Sequence, residues 1–224
     1  MLPTLIITEE MSRLQLGRRT LLYASQVSEE HWRTDQTELS RDIEDYRRLR
    51  SECYIVESCQ TMETAAEEIE RHVKEYDVKA VVIDYAQLLQ SKGRQRWEQM
   101  ANTSESLRRI ASQHQIIVCA LVQMNQEIEK RKKFEPHLSD LGDTGQWARD
   151  ADVIVFVVWP HRFDYKLPPN EFKIYVAKNR NRPINSSIVV CRFEPSRQRI
   201  METRAQDMPN YEPAFKDHDP FFEK

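Results

Sequence analysis

Glycine is scarce in this chain, with four in 224 residues, and none of them forms the phosphate-cradling pattern GxxxxGK(S/T). A self-contained Gly-rich nucleotide loop is therefore excluded from these residues. The four cysteines form no CxxC pair, and the six histidines show neither HExxH nor Cys/His ligand spacing, which argues against a structural metal centre. No apolar run reaches the roughly 18 residues of a membrane span, and the first residues lack the charged and apolar regions of a signal peptide. The cysteines mostly sit in apolar strand-like runs and are expected to be buried, reduced thiols of a cytoplasmic protein. A net charge of −3 is absent as a signal too: residues 201–224 hold six acids and three bases, so residues 1–200 balance to zero. Any basic surface must be local.

What is present is an alternation of apolar strands and helices. "LIIT" (5–8) predicts a short strand. Met11 to about Ser25 reads as a helix, with Met11, Leu14, Leu21, Leu22 and Tyr23 apolar and Gly17 a weak spot. Residues 35–51 are polar and helix-prone, and "CYIVES" is a strand. Thr61 is placed to cap "METAAEEIERHVKEY", whose Ala65, Ala66, Ile69 and Val73 share a face. "VVIDYAQLL" (81–89) supplies a strand closing in Asp84, followed by a polar loop, "QSKGRQR", expected to be mobile, and a helix over about 97–113. "IIVCALV" and "VIVFVVW" are two further apolar strands separated by the polar insertion 125–149, and "FKIYVAK" and "SSIVVCRFE" flank a turn. Runs that are apolar throughout point to an α/β fold with a mostly parallel sheet covered by helices on both faces. The expected organisation is one domain over residues 1–200 and an acidic, flexible tail over 201–224.

In such sheets chemistry collects at the carboxyl ends of the strands. Glu9 and Glu10 follow the first strand there, Asp84 the third and Gln123 the fourth. A carboxylate at that position can hold Mg²⁺ or polarise a water, although a turn or helix-start acid looks the same in sequence. Lys178 and Arg180, one residue apart, suit a phosphate; a solvated basic turn is the ordinary alternative. "EKRKKFEPH" (129–137) is a basic run with one aromatic residue, of a kind that occasionally contacts nucleic acid.

The order of these features carries more than any one of them. "TEEMSRLQLGRR", "VVIDYAQLLQ", "LSDL" followed by "DADV", and "YVAKNRNRP" are collinear over about residues 5–200. Together they resemble the ATPase domain of the DnaB-like replicative helicases, where "IDYAQL" is similar to "IDYLQL", "EEMS" to "LEMS" and "AKNRN" to "AKQRNG". The resemblance implies a RecA-like P-loop NTPase core lacking its phosphate-loop strand and helix. It also implies a homo-hexamer, or packing against intact helicase subunits, with ATP and Mg²⁺ between subunits and single-stranded DNA in the channel. A primase or helicase loader would be a further partner.

Carried over by resemblance, Glu10 matches the glutamate that activates water and Asp84 the Mg²⁺-organising aspartate. Gln123 matches the glutamine that couples nucleotide state to the DNA loops, and Lys178 and Arg180 the fingers reaching a neighbour's ATP. Three departures stand out. The phosphate loop is absent, which predicts a chain starting just after it, weak in ATP binding and turnover by itself. The Arg-Glu of the DNA-contacting "LRESG" is Gly142-Asp143 here, with Gly145 kept, so Arg131, Lys132 and Lys133 become the candidate phosphate contacts. Arg182 replaces the glycine after the fingers.

Overall fold

The computed structural model describes residues 2–24, 40–41, 43–44, 52–131, 134–142, 145–184, 188–197 and 199–202. The expected solvated helix at 35–51 and the tail lie almost wholly outside that set, as do Lys132, Lys133 and Asp143. The described chain forms two compact units. One contains the residues up to Asn125 together with Leu141–Asp150, and the other Gln126–Asp140 and the chain from Ala151 onward.

The first unit is a four-stranded parallel sheet. β1 (Thr4–Thr8), β2 (Cys53–Glu57), β3 (Ala80–Asp84) and β4 (Ile117–Ala120) run in the order β2-β1-β3-β4. Leu5, Ile7, Val81 and Ile83 are fully buried and fill the sheet's centre. α1 (Arg13–Ala24) follows β1, and α2 (Met62–Tyr76) links β2 to β3. Thr61 caps α2 as expected: its hydroxyl accepts from Thr64 N (3.1 Å), and the helix closes on Asp77 in the left-handed region. Met62, Ala65, Ile69 and His72 are its buried residues, so His72, rather than Val73, lies deepest at that turn.

α3 (Arg96–His114) joins β3 to β4 and begins in a reciprocal cap between Gln95 and Glu98. The preceding loop, expected to be mobile, is tied to that helix instead. Asn102 donates to Lys92 O (2.6 Å) and Gln99 to Gly93 O (3.1 Å). Gly93 is required there: its φ is +139°, and a Cβ would fall 2.8 Å from Glu98 Cβ. The short α4 (Gln146–Asp150) is held to α3, with Ser104 donating to Asp150 at 2.8 Å.

The second unit is antiparallel. β5 (Val153–Val158), β6 (Glu171–Asn179), β7 (Ile188–Glu194) and β8 (Arg199–Glu202) form a meander in that order. The strand–turn–strand expected around "NRNRPIN" is β6 and β7. β5 departs from expectation. Ile154, Phe156 and Val158 are buried, but Val153, Val155 and Val157 are 49%, 47% and 49% exposed: alternate side chains point to opposite faces, one of which is solvated, and among the described strands β5 has a neighbour, β6, on one side only. β4 is an edge in its own sheet, and Ile117 there is 59% exposed.

Edge placement also corrects the expectation for the cysteines: Cys59 and Cys191 are buried, whereas Cys53 on β2 and Cys119 on β4 are exposed. No described helix is long and apolar enough to cross a membrane.

Candidate functional site

Parallel pairing brings three sequence-predicted groups to one end of the first unit's sheet. Thr8 lies opposite Asp84 in the β1–β3 register, and Glu9 N donates to Asp84 O at 2.8 Å. Glu9 and Glu10, adjacent in sequence, then take different roles. The Glu9 carboxylate accepts from Cys59 N (2.7 Å) and Gln60 N (3.2 Å). It thereby braces a turn in which Ser58 and Gln60 both have φ near +60°. Burial first, then the nearby Glu9 charge, pushes the Cys59 thiol up to about 11, so it is no nucleophile near neutrality.

Glu10 is exposed, and its carboxylate has no hydrogen-bond partner among the described residues. Neither acid lies in the helix, which starts at Arg13, so a helix-start role for them does not apply. The short segment carrying Glu10 is fixed on both sides. The buried Thr8 hydroxyl accepts from Met11 N (3.0 Å) and donates to Met11 O (2.9 Å). Beyond it, Arg13 donates through N (2.5 Å) and Nε (2.8 Å) to Glu57, and this pairing lowers the Glu57 pKa. Ser12 and Gln15 close the start of α1 with reciprocal bonds of 2.9 and 3.3 Å.

Asp84 is half-buried and its carboxylate is likewise unpartnered among the described residues. No group of three or more His, Cys, Asp or Glu side chains that could cage a metal occurs among the described residues. One accessible carboxylate suits Mg²⁺, which keeps several waters and takes its other oxygens from phosphates. The arrangement fits such an ion in the presence of nucleotide. Gln123 emerges past β4, exposed, with its backbone bonded to the side chain of Gln87.

The cations lie in the second unit. Lys178, near the end of β6, donates to Ala151 O at 2.6 Å. Arg180 lies just past the strand, its Nη1 on Asp152 Oδ1 (2.8 Å) and its N–H on Asp152 O (2.8 Å). That ion pair is 48% and 65% exposed, so it contributes at most about 1 kcal/mol and exchanges readily for another anion.

Arg131 is different. Its guanidinium grips Asp140 through two bonds of 2.5 and 2.7 Å and also donates to Glu135 O (2.9 Å). It holds the 131–140 loop together rather than standing out from it. Gly145 has φ +57° just ahead of α4.

Sequence reasoning gave no role to Glu57, Gln87 or Asp140, and did not separate Glu9 from Glu10. Glu9, Glu57, Gln87 and Asp140 each act through a partner in another segment, so no local spacing marks them. Motif membership was the signal available: Gln87 lies within "IDYAQL", Asp140 within "LSDL", and in "DADV" Asp150 accepts from Ser104 and Gln146 (2.9 Å) and Asp152 from Arg180.

Comparison with known proteins bears on these observations. Over 123 residues the chain is 37% identical to a probable plasmid replicative DNA helicase of Chlamydia trachomatis serovar L2, a match covering 54% of this chain and 26% of that protein. It therefore spans about a quarter of the length of that relative. A solved DnaB-like replicative helicase, described with its interactions with primase, superposes with a TM-score of 0.80 at 23% identity, over 90% of this chain and 51% of that one. A solved ATPase domain superposes with a TM-score of 0.79 at 24% identity, over 90% of this chain and 75% of its own. These two show the RecA-like ATPase fold. The family model for the DnaB-like helicase C-terminal domain matches residues 1–202, and the chain belongs to that family.

Proposed function

We propose that this chain supplies the water-activating and Mg²⁺-organising part of a replicative helicase's ATP site. The supporting observation is that Glu10 and Asp84, at neighbouring strand ends, present carboxylates with no hydrogen-bond partner among the described residues, while Glu9 and Glu57 beside them are engaged. In this reading Glu10 polarises the attacking water and Asp84 orients the Mg²⁺ of Mg-ATP, which when bound neutralises phosphate charge. Gln123 relays nucleotide state toward single-stranded DNA.

Lys178 and Arg180 serve the ATP of an adjoining subunit, either in a homo-hexamer or against intact helicase subunits. The weak Arg180–Asp152 pair allows that exchange. Lys132 and Lys133 contact DNA phosphate, with Arg131 bracing their loop and Asp143 and Gly145 in the second DNA-facing stretch. Primase or a helicase loader are further partners, and the location is cytoplasmic.

The 224 residues contain no GxxxxGK(S/T). Its amides and Lys provide much of the grip on β- and γ-phosphates, so another segment provides them in this reading. By itself the chain binds ATP weakly and hydrolyses it slowly. A second reading, a non-catalytic subunit offering Lys178 and Arg180 in trans, draws on the exposure of that same ion pair.

The test is ATP turnover by the purified chain, with and without single-stranded DNA, alone and mixed with an intact helicase of the family. The turnover of the mixture in excess of the intact helicase alone is expected to fall about 10²- to 10⁴-fold with Glu10→Gln if this chain activates water. If only Arg180→Ala lowers it, the subunit reading holds. Robust turnover by the chain alone, unaffected by Asp84→Asn, refutes both.

A further inference from the structure

Gln87 makes a contact that the proposed site does not use. Backbone pairing of β3 with β4 ends at Ile83 and Ala120, then continues through Leu121 N to Ile83 O (3.0 Å) and Ala86 N to Leu121 O (3.0 Å). Past that point the backbones part, as residues Ala86–Leu88 turn into a single 3₁₀ turn. The main chain of Gln123 is left without a strand partner. The Gln87 side chain takes that place: its Nε2 donates to Gln123 O (3.0 Å), and its Oε1 accepts from Gln123 N (2.7 Å).

A primary amide is the one neutral side-chain group that presents a donor and an acceptor side by side, as a strand residue's backbone does. The orientation is fixed by its partners, because the reverse would set NH₂ against N–H. The Gln123 side chain, by contrast, makes no hydrogen bond among the described residues and faces solvent.

We propose that Gln87 is a positioning residue. It extends the β3–β4 ladder by one side chain, so the direction of the Gln123 side chain follows the segment anchored at Asp84. Asp84 closes β3 and Gln87, three positions on, lies in the turn that follows it, so the strand end that carries Asp84 is tied through Gln87 to Gln123, 36 residues further along the chain. This deepens, and rests on, the reading of Asp84 and Gln123 as parts of one nucleotide site. Glutamate at 87 keeps the acceptor but not the donor, asparagine is one methylene short, and leucine keeps the bulk and loses both bonds.

The test uses backbone NMR of the full chain. Gln87→Leu is expected to speed amide hydrogen exchange at Gln123 about 5- to 10-fold, the loss of roughly one hydrogen bond, and Gln87→Glu to restore only part of that protection, because its second carboxylate oxygen would face Gln123 O. Asp84→Asn is expected to move the Gln123 amide resonance in the parent chain and leave it still in the Gln87→Leu background, which loss of general stability would not produce. Unchanged exchange in Gln87→Leu, or an equal Asp84→Asn response in both backgrounds, overturns the proposal.

A third measurement separates this idea from the reading beneath it. If the chain, with and without an intact helicase, never binds a fluorescent Mg-ATP analogue, the nucleotide reading fails while the NMR results still decide what Gln87 does. If it binds and oligothymidylate alters that binding, Gln87→Leu is expected to cut the alteration to less than about half. Full retention of it also overturns the positioning role.

Discussion

Removing the charge of Asp140 should destabilise the unit built on β5–β8 while sparing any DNA contact made by the neighbouring lysines. Asp140 is 1% exposed and accepts three hydrogen bonds: two from Arg131 and one from His137 N at 2.7 Å. Breaking one side of a buried ion pair costs about 3–5 kcal/mol, most of it from the charge left unpaired. Arg131 is 28% exposed, so its guanidinium regains some water, and about 2–4 kcal/mol is expected for Asp140→Leu or Arg131→Met. Because the loss comes from orphaning a charge, the Arg131→Met/Asp140→Leu double variant should recover at least about 2 kcal/mol of the summed cost.

Urea unfolding of the four proteins, followed by tryptophan fluorescence and circular dichroism, supplies the cycle. Additivity within about 0.5 kcal/mol would refute the coupling. The same variants decide the DNA question. If Arg131 braces the loop, the folded double variant keeps the parent's slope of log affinity against log salt; if Arg131 contacts phosphate, the slope falls by about 1.

The acid limb of stability should follow from that pair. The hydrogen bonds from Arg131, and after them the His137 N–H, hold the Asp140 carboxyl below its ordinary range, so the unfolded chain takes up this proton first as pH falls. The contribution is complete above the ordinary carboxylate value of about 4 and is lost as pH drops through the depressed one. Asp140→Asn should flatten the stability–pH curve in that window, and an unchanged curve would contradict the assignment. On β5, which has no second strand neighbour among the described residues, Val155→Lys should reduce concentration-dependent association seen by light scattering, changing stability by no more than about 0.5 kcal/mol. Association equal to the parent's would show that this edge is not the sticky surface.

Most strands and helices were legible because apolar runs bounded by polar turns are enough to mark them, and Thr61 announced its helix by capping chemistry alone. Apolar content says nothing, however, about which neighbour a strand finds. "VIVFVV" reads as a strand buried on both faces, yet it is an antiparallel edge showing three valines to solvent. Leu14, placed among the apolar candidates of its helix, is also exposed, while Leu22 is the residue that packs. The placement of the candidate residues was legible in another sense. Glu10, Asp84 and Gln123 could be placed at strand carboxyl ends from pattern, and parallel pairing sets all three strands to end on one side. What supports them was not legible, since Glu57 reaches across 44 residues to Arg13 and Gln87 across 36 to Gln123.

That difference bears on how the two halves of the "EE" dipeptide should be read. Glu9 and Glu10 are chemically the same and one residue apart, so composition and spacing cannot rank them. A carboxylate held against two backbone N–H groups, as Glu9 is, gains structure and loses freedom to meet a ligand. An exposed one without a hydrogen-bond partner among the described residues, as Glu10 is, costs the fold little and keeps its oxygens available. Asp84 meets the same condition less fully, being half-buried, and so carries the larger cost of standing unpaired. A turn acid would bond its own loop, as Asp164 accepts from Lys166 N (3.0 Å), and the Asp84 carboxylate makes no such bond among the described residues, which is the ground on which the proposed ligand role rests.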